Sequence, residues 1–176
     1  MTHSLETVEA WLTRIIGHEG AQSMDPKDPG NWTGGKVGSG TLNGTKYGIA
    51  ANTYPSVDIP GLTISKAAEI YMRDFVAPLK LDRYAASVAY QLLDFAVNSG
   101  IGRATKELQQ AVGVTADGKI GPQTIAAVQA RSETDLVMLV TAGRIDFMAG
   151  LNNWPAHGKG WMRRIAQNLR YGAEDS

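Results

Sequence analysis

Near the start of the chain, Leu5, Val8, Leu12 and Ile15 recur at steps of three, four and three. That spacing draws one apolar stripe along an amphipathic helix. Ser4 is a suitable N-cap for it, and Glu6 suits the first turn, where the helix dipole favours a negative charge. A further step of four from Ile15 reaches Glu19, and Gly20 then ends the helix on this reading. From there to about Gly61 the periodicity dissolves into glycine- and proline-punctuated chain. Within it "GKVGSGTLNGTKYGIA" alternates Gly with β-branched or aromatic residues, which predicts one or two short strands.

Helical spacing returns at Thr63. The segment "ISKAAEIYMRDFV" predicts a helix that ends before Pro78. "YAASVAYQLLDFAVNSG" places Val88, Leu92 and Phe95 together and stops at residues 98–100. "IGRATKELQQAVG" is closed by Gly113, and "VTADGKIGPQTIAAVQA" reads as a tight Asp117-Gly118 turn before a helix with Pro122 in its first turn. "TDLVMLVTAGRIDFMAGL" and "KGWMRRIAQNLRYG" complete the chain. The fold class expected is mainly α (α+β), with a small N-terminal β-containing loop lobe over a cleft and a helical remainder.

Composition narrows the function classes. At 176 residues and 43% hydrophobic, the chain has the make-up of a globule of one domain or two small lobes sharing a core. Lys+Arg and Asp+Glu both number 17, so no broad basic surface for nucleic acid is expected. Cysteine is absent, which excludes disulfides, thiol catalysis and cysteine metal sites. His3, His18 and His157 show no metal-ligand spacing, so no metal and no cofactor are expected. The N-terminus lacks a basic stretch followed by an apolar one, so no secretory signal is read there. The longest apolar run is broken by Arg144 and Asp146 and is too short to span a bilayer; it reads as a buried helix.

The candidate chemistry lies where helical pattern gives way to loop. A Glu19 in line with the buried stripe would be disfavoured as an anion, and the negative potential at the helix C-terminus would push the same way. A carboxyl kept protonated can donate a proton to a leaving group. The alternative is a Glu turned to solvent at a frayed helix end. Asp25 and Asp28 follow in a loop pinned by Pro26 and Pro29, with Trp32 and Tyr47 nearby in sequence. One carboxyl in an apolar niche and another in a polar loop is the layout of glycoside hydrolysis, and aromatic faces stack on sugar rings. The competing reading of Asp25 and Asp28 is turn formation through Asx hydrogen bonds, expected for at least one of them.

The stretch "HEGAQSMDPKDPGNWTGG…TKYGIA" resembles the N-acetylmuramidases of glycoside hydrolase family 108. Downstream, "LTISKAAEIYMRDFVAP" and "LLDFAVNSGIGRATKELQQAVGVTADGKIGPQTIAAV" are similar to the rest of that family. The latter half resembles the predicted peptidoglycan-binding region that accompanies it, and "KGWMRRI" resembles its closing helix. The resemblance divides the chain into a muramidase catalytic region, 1–90, and a helical peptidoglycan-binding-like region, 91–172, packed as one compact unit. It implies that Glu19 is the catalytic acid of a lysozyme-like enzyme. A more distant similarity to phage-type lysozymes implies an Asp nine positions after the Glu, which is Asp28, and a Thr partner, which is Thr45. Two departures stand out. Ala21 sits where the family has Gly, and residues 31–43 look like an insertion, either a longer hairpin beside the cleft or a displacement of Thr45.

The implied reaction is hydrolysis of the β-1,4 bond between N-acetylmuramic acid and N-acetylglucosamine. Glu19 would protonate the glycosidic oxygen. Asp28, or else Asp25, would position water or stabilise the transition state. Asp25, Trp32, Tyr47, Asn98 and Asp117 are expected to bind substrate. The same reading implies a monomer made in the bacterial cytoplasm, acting on peptidoglycan in the periplasm or wall with a holin or other export assistance, and it favours a phage or prophage endolysin. The rivals are a secretion-assisting muramidase and a non-catalytic peptidoglycan-binding protein. Other residues have simpler readings. His18 reads as a surface or cap residue, and Asp94 as a buried carboxylate that bonds a helix terminus, with Asn98 doing the same. Asp117-Gly118 reads as a turn, with a wall contact as the sharper possibility. Lys159, Arg163, Arg164 and Arg170 read as a solvated face or as a contact to anionic peptide stems or outer-membrane phosphates.

Overall fold

The computed structural model describes residues 3–17 and 22–175. The chain divides into two compact units, Ser4–Met72 and, with Met1–His3, Arg73–Ser176.

The smaller unit starts with α1, Leu5–Ile16. The Ser4 hydroxyl accepts the Thr7 N–H at 3.1 Å, as an N-cap should. Val8, Trp11, Leu12 and Ile15 form its buried stripe, and each such side chain contributes about 1.5–3 kcal/mol of burial. The helix stops at Ile16, earlier than the stripe suggested. Gly17 takes φ 68°, a left-handed conformation that glycine tolerates, and its N–H closes on the Thr13 carbonyl. Helical periodicity therefore runs out before Glu19, and it is Gly17 that ends α1, not Gly20. A three-stranded antiparallel sheet follows, in the order β1 (Gln22–Ser23), β2 (Thr45–Lys46), β3 (Ile49–Ala50). Ser23 faces Thr45, and Thr45 faces Ala50. The β2–β3 link is Tyr47-Gly48, with φ of 52° and 74°. Two successive positive φ values suit the tight hairpin whose twist matches the strands. A Cβ on Gly48 would lie 2.5 Å from the Tyr71 hydroxyl oxygen, so the position admits only glycine without rearrangement. The unit closes with α2, Ile64–Tyr71, which packs on α1 and is N-capped by Thr63.

Helical backbone does not stop ahead of Pro78. A π-helical turn, Met72–Val76, leads into the short α3, Ala77–Leu79, and Pro78 occupies the first turn of α3. There a missing N–H leaves no hydrogen bond unmade. In the larger unit α4 (Ala86–Ser99) is the central element and packs against α5 (Ile101–Val112), α7 (Glu133–Ala149) and α8 (Trp154–Glu174). Every residue of α4 from Ser87 to Ala96 is buried. A helix covered all round reads as continuously apolar, which is why polar Gln91 and Asp94 stand out within it. Gly100 and Gly113, with φ of 86° and 76°, end α4 and α5. The Asp117-Gly118 turn precedes α6 (Pro122–Gln129). The last helix begins at Trp154, ahead of "KGWMRRI", with Pro155 in its first turn. None of the helices described is long and apolar enough to cross a membrane.

Candidate active site

The loop between β1 and β2 draws several of the expected residues together. Asp25 accepts the Lys27 N–H through Oδ1 at 2.9 Å. Asp28 accepts the Gly30 N–H through Oδ1 at 2.8 Å and caps a 3₁₀ turn, Pro29–Asn31. Both aspartates therefore make Asx bonds, which set the loop's course. Both are exposed. Each turn bond uses one carboxylate oxygen, and a carboxylate has several further acceptor positions. Trp32 is half-buried, and its indole N–H donates to the Pro26 carbonyl at 2.9 Å, which ties the ring to the aspartate loop.

The hub of this region is Asn31, whose role was not read from the sequence. It is fully buried. Its Nδ2 donates to the Asp25 carbonyl at 3.0 Å and to Ser23 Oγ at 3.2 Å. Its Oδ1 accepts the Thr45 hydroxyl at 2.7 Å. Its backbone carbonyl accepts both Asn43 N–H and Gly44 N–H, at 2.9 and 3.0 Å. The two ends of the 31–43 segment are thereby pinched together. Beyond that neck the segment folds back on itself through a Trp32–Leu42 bridge, with Thr33 N–H on the Thr41 carbonyl and Gly34 N–H on the Ser39 carbonyl. The insert is thus a hairpin-like excursion, and Thr45 stays linked to the aspartate loop through one side chain. No local signal marks Asn31. Its partners lie up to fourteen residues away, and an Asn after Asp-Pro-Gly reads simply as more turn.

Tyr47 follows directly. It is half-buried, its carbonyl accepts the Tyr71 hydroxyl at 3.3 Å, and the Lys46 ammonium sits 5.4 Å from its ring centre. A positive φ at an aromatic residue is uncommon, and sharp backbone of this kind concentrates at functional sites. Glu19 and its neighbours His18, Gly20 and Ala21 lie outside the described residues. The described chain resumes at Gln22, which pairs with Lys46, next to Thr45.

Asn98 and Asp117 belong to the helical unit, in different settings. Asp117 is exposed, and its Oδ1 accepts both Gln109 Nε2 at 2.7 Å and Lys119 N–H at 2.9 Å. The Gln109 hydrogen bond, then the Lys119 N–H, hold its pKa below the ordinary carboxylate value. Gln109 is buried and also accepts the Gly118 N–H at 2.8 Å, so one amide fastens the whole turn. Asn98 is exposed and donates to the Asp94 carbonyl at 2.6 Å, within the last turns of α4. Asp94 is buried, as its pattern implied, but its carboxylate does not bond a helix terminus. It accepts Arg144 at 2.7 Å, Arg164 at 2.5 and 3.0 Å, and Asn168 Nδ2 at 2.7 Å. Burial would raise its pKa, but the hydrogen bonds and charges of Arg164 and Arg144 outweigh that and hold it below the usual value. Arg164 therefore faces Asp94 rather than forming part of a wholly solvated face.

Residues 12–100 match the family described as glycosyl hydrolase 108, and residues 103–166 match a predicted peptidoglycan domain. No curated protein matches the chain. Among solved structures, SagA of Brucella abortus superposes with a TM-score of 0.78 at 29% identity, over 98% of this chain and 97% of that one. The mainly α, lysozyme-like architecture with its small antiparallel sheet agrees with the fold class expected from the sequence.

Proposed function

Because this chain belongs to the glycosyl hydrolase 108 family and carries a peptidoglycan domain, it is a peptidoglycan hydrolase, and we propose that the bond it hydrolyses is the β-1,4 link from N-acetylmuramic acid to N-acetylglucosamine. In this reading Glu19 donates the proton to the glycosidic oxygen, and water adds at the muramic carbon. Asp28 orients that water or stabilises the oxocarbenium-like transition state. Its loop geometry supports the role, since the bond to Gly30 fixes the carboxylate in direction. Thr45 contributes its hydroxyl at the same site.

The observation that carries the proposal is the Asn31 link. It couples the Thr45 hydroxyl to the aspartate loop across an insert that otherwise separates them in sequence. Trp32 and Tyr47, anchored at the two ends of that block, offer aromatic surface for sugar rings. Asp25, Asn98 and Asp117 are secondary contacts in this reading. No metal or cofactor takes part in the proposed step.

The substrate lies outside the inner membrane, so we further propose that the protein acts in the periplasm or wall as a phage or prophage endolysin, delivered with a holin. Co-expression with a holin should lyse cells, while lysis at the same rate without one would remove that delivery route. Mass spectrometry of digested sacculi tests the chemistry. Products with reducing muramic acid ends are expected; reducing glucosamine ends, anhydromuramic ends or freed peptides would refute the assigned bond. Glu19→Gln should abolish lysis while leaving the thermal melt in place.

A further inference from the structure

The last helix presents a second surface, apart from the aspartate loop. From Trp154 to Ala173, α8 contains Lys159, Arg163, Arg164 and Arg170 and no acidic residue. Arg164 is engaged by Asp94. Trp154, Gly158 and Met162 follow one another at steps of four, so they share one side of the helix. Together with Pro155, Lys159 and Arg163 they line a groove of about 440 Å³.

Gly158 explains how the groove is built. Glycine is a poor helix former, yet this one lies inside α8 and is buried. A Cβ there would stand 2.9 Å from both Cδ2 and Cε2 of Trp154, the two carbons at the fusion of the indole rings. The missing side chain therefore lets the indole rest against the helix backbone. Trp161 braces the same ring, with 6.0 Å between ring centres. Trp154 remains half-buried, and its indole N–H makes no hydrogen bond among the described residues. Lys159 and Arg163 are exposed, and neither forms an ion pair among the described residues. A basic face that served only solubility would have no use for a ring seated on a glycine. A fixed aromatic surface with a few polar groups converging on it is the make-up of a ligand site, and two unpaired cations select an anionic ligand.

We propose that this groove is a wall-binding subsite for a muramyl peptide of peptidoglycan. The sugar ring lies against Trp154, whose indole N–H donates to it, and a carboxylate of the attached peptide pairs with Lys159 and Arg163. The choice of wall as ligand rests on the peptidoglycan hydrolase reading, since Trp154–Arg163 falls within residues 103–166, which match a predicted peptidoglycan domain. Trp, Lys and Arg also mark helices that lie on anionic lipid. The concave shape and the family match favour the wall. Such a subsite would hold the enzyme to its substrate while the glycan is cut elsewhere.

Titration of the full-length protein with muramyl dipeptide tests this, read by the NMR signals of the tryptophan indole N–H groups. Muramyl dipeptide has the sugar ring and a free carboxylate but no bond from muramic acid to glucosamine, so its binding is independent of the bond the enzyme cuts. It should shift the Trp154 signal and bind more tightly than N,N'-diacetylchitobiose, which is uncharged. The double change Lys159→Gln with Arg163→Gln removes two exposed, unpaired charges and should leave the melt unchanged. It should weaken muramyl dipeptide about threefold or more, the scale of exposed charge pairs, and leave chitobiose binding unaltered. Gly158→Ala keeps the charges but displaces the indole, and should weaken both ligands about threefold or more. An unshifted Trp154 signal, equal binding of the two ligands, or unaltered muramyl dipeptide binding by either variant would each overturn the proposal. So would sedimentation with phosphatidylglycerol vesicles without any response to muramyl dipeptide, which would make the surface a lipid contact. The bond assignment is judged separately, from digestion products.

Discussion

Replacing Asn31 by Ala is the sharpest perturbation of the small unit. The amide makes three side-chain hydrogen bonds, to Asp25, Ser23 and Thr45. At about 0.5–1.5 kcal/mol net for each bond, their loss amounts to roughly 1.5–4.5 kcal/mol. Asp25 and Ser23 are exposed, so water can take over their bonds, which favours the lower half of that range. The half-buried Thr45 hydroxyl is less easily satisfied. The void left by the amide adds to the loss. A destabilisation of about 2–3 kcal/mol is therefore expected in urea melts. Asn31→Asp separates bonding from volume. It keeps the shape and the acceptor for Thr45, but sets a carboxylate oxygen against the Asp25 carbonyl, and should destabilise about as much. Thr45→Val should cost less in stability, about 1–2 kcal/mol, by leaving one buried acceptor unpaired. Sacculus lysis is then measured at a temperature where every variant is folded. If Asn31 holds the aspartate loop and Thr45 in working register, Asn31→Ala loses activity beyond its unfolded fraction. A variant melting within about 0.5 kcal/mol of wild type, or one with full activity, would refute the hub.

Three further outcomes follow from the packing. Asp94 has a depressed pKa in the folded state, so its contribution to stability is fully present above the unfolded value of about 3.9 and is lost as pH falls below it; Asp94→Asn, which removes the carboxylate that Arg144 and Arg164 both bond, should remove about 3–5 kcal/mol at neutral pH in a denaturant titration. Tyr84 has a buried hydroxyl with no hydrogen-bond partner among the described residues, and burial, then the charge of Asp82, push its pKa up to about 12. Stability should accordingly be intact below about pH 10 and decline as pH rises towards 12; Tyr84→Phe should flatten that decline and leave the neutral-pH melt unchanged or slightly higher, and a loss above about 1 kcal/mol would show that the hydroxyl has a use. Gly48→Ala combines a left-handed backbone with a clash against Tyr71 and should cost about 1–3 kcal/mol by chemical denaturation, while a neutral result would mean the hairpin can adopt another turn.

Elements set by local chemistry were legible in the sequence. Ser4 begins α1, Gly100 and Gly113 end their helices, and Asp117-Gly118 turns, because each needs only its own neighbours. The structure departs from these expectations where the local backbone leaves regular helix, and where distant partners decide. The stripe reached Glu19 arithmetically, but a left-handed Gly17 intervened, and backbone conformation outranks apolar spacing. Pro78 was read as a stop when a preceding π-helical turn lets it serve as a first-turn residue. Asp94 was correctly expected to be buried, yet its arginine partners lie fifty and seventy residues away and no periodicity announces them. Asn31 was hidden for the same reason. The Asx turns at Asp25 and Asp28 were readable, whereas the amide behind them was not.

The Asn31 neck has an architectural consequence. A loop whose ends are held by its own backbone carbonyl needs nothing from its tip to keep those ends in place. Closing a longer loop at a fixed neck adds only about 0.6 kcal/mol for each doubling of length. The chain beyond Trp32 can thus lengthen, shorten or change its sequence while the turn below it keeps its geometry. That separation would let the tip adapt to different cell walls without disturbing the residues beneath.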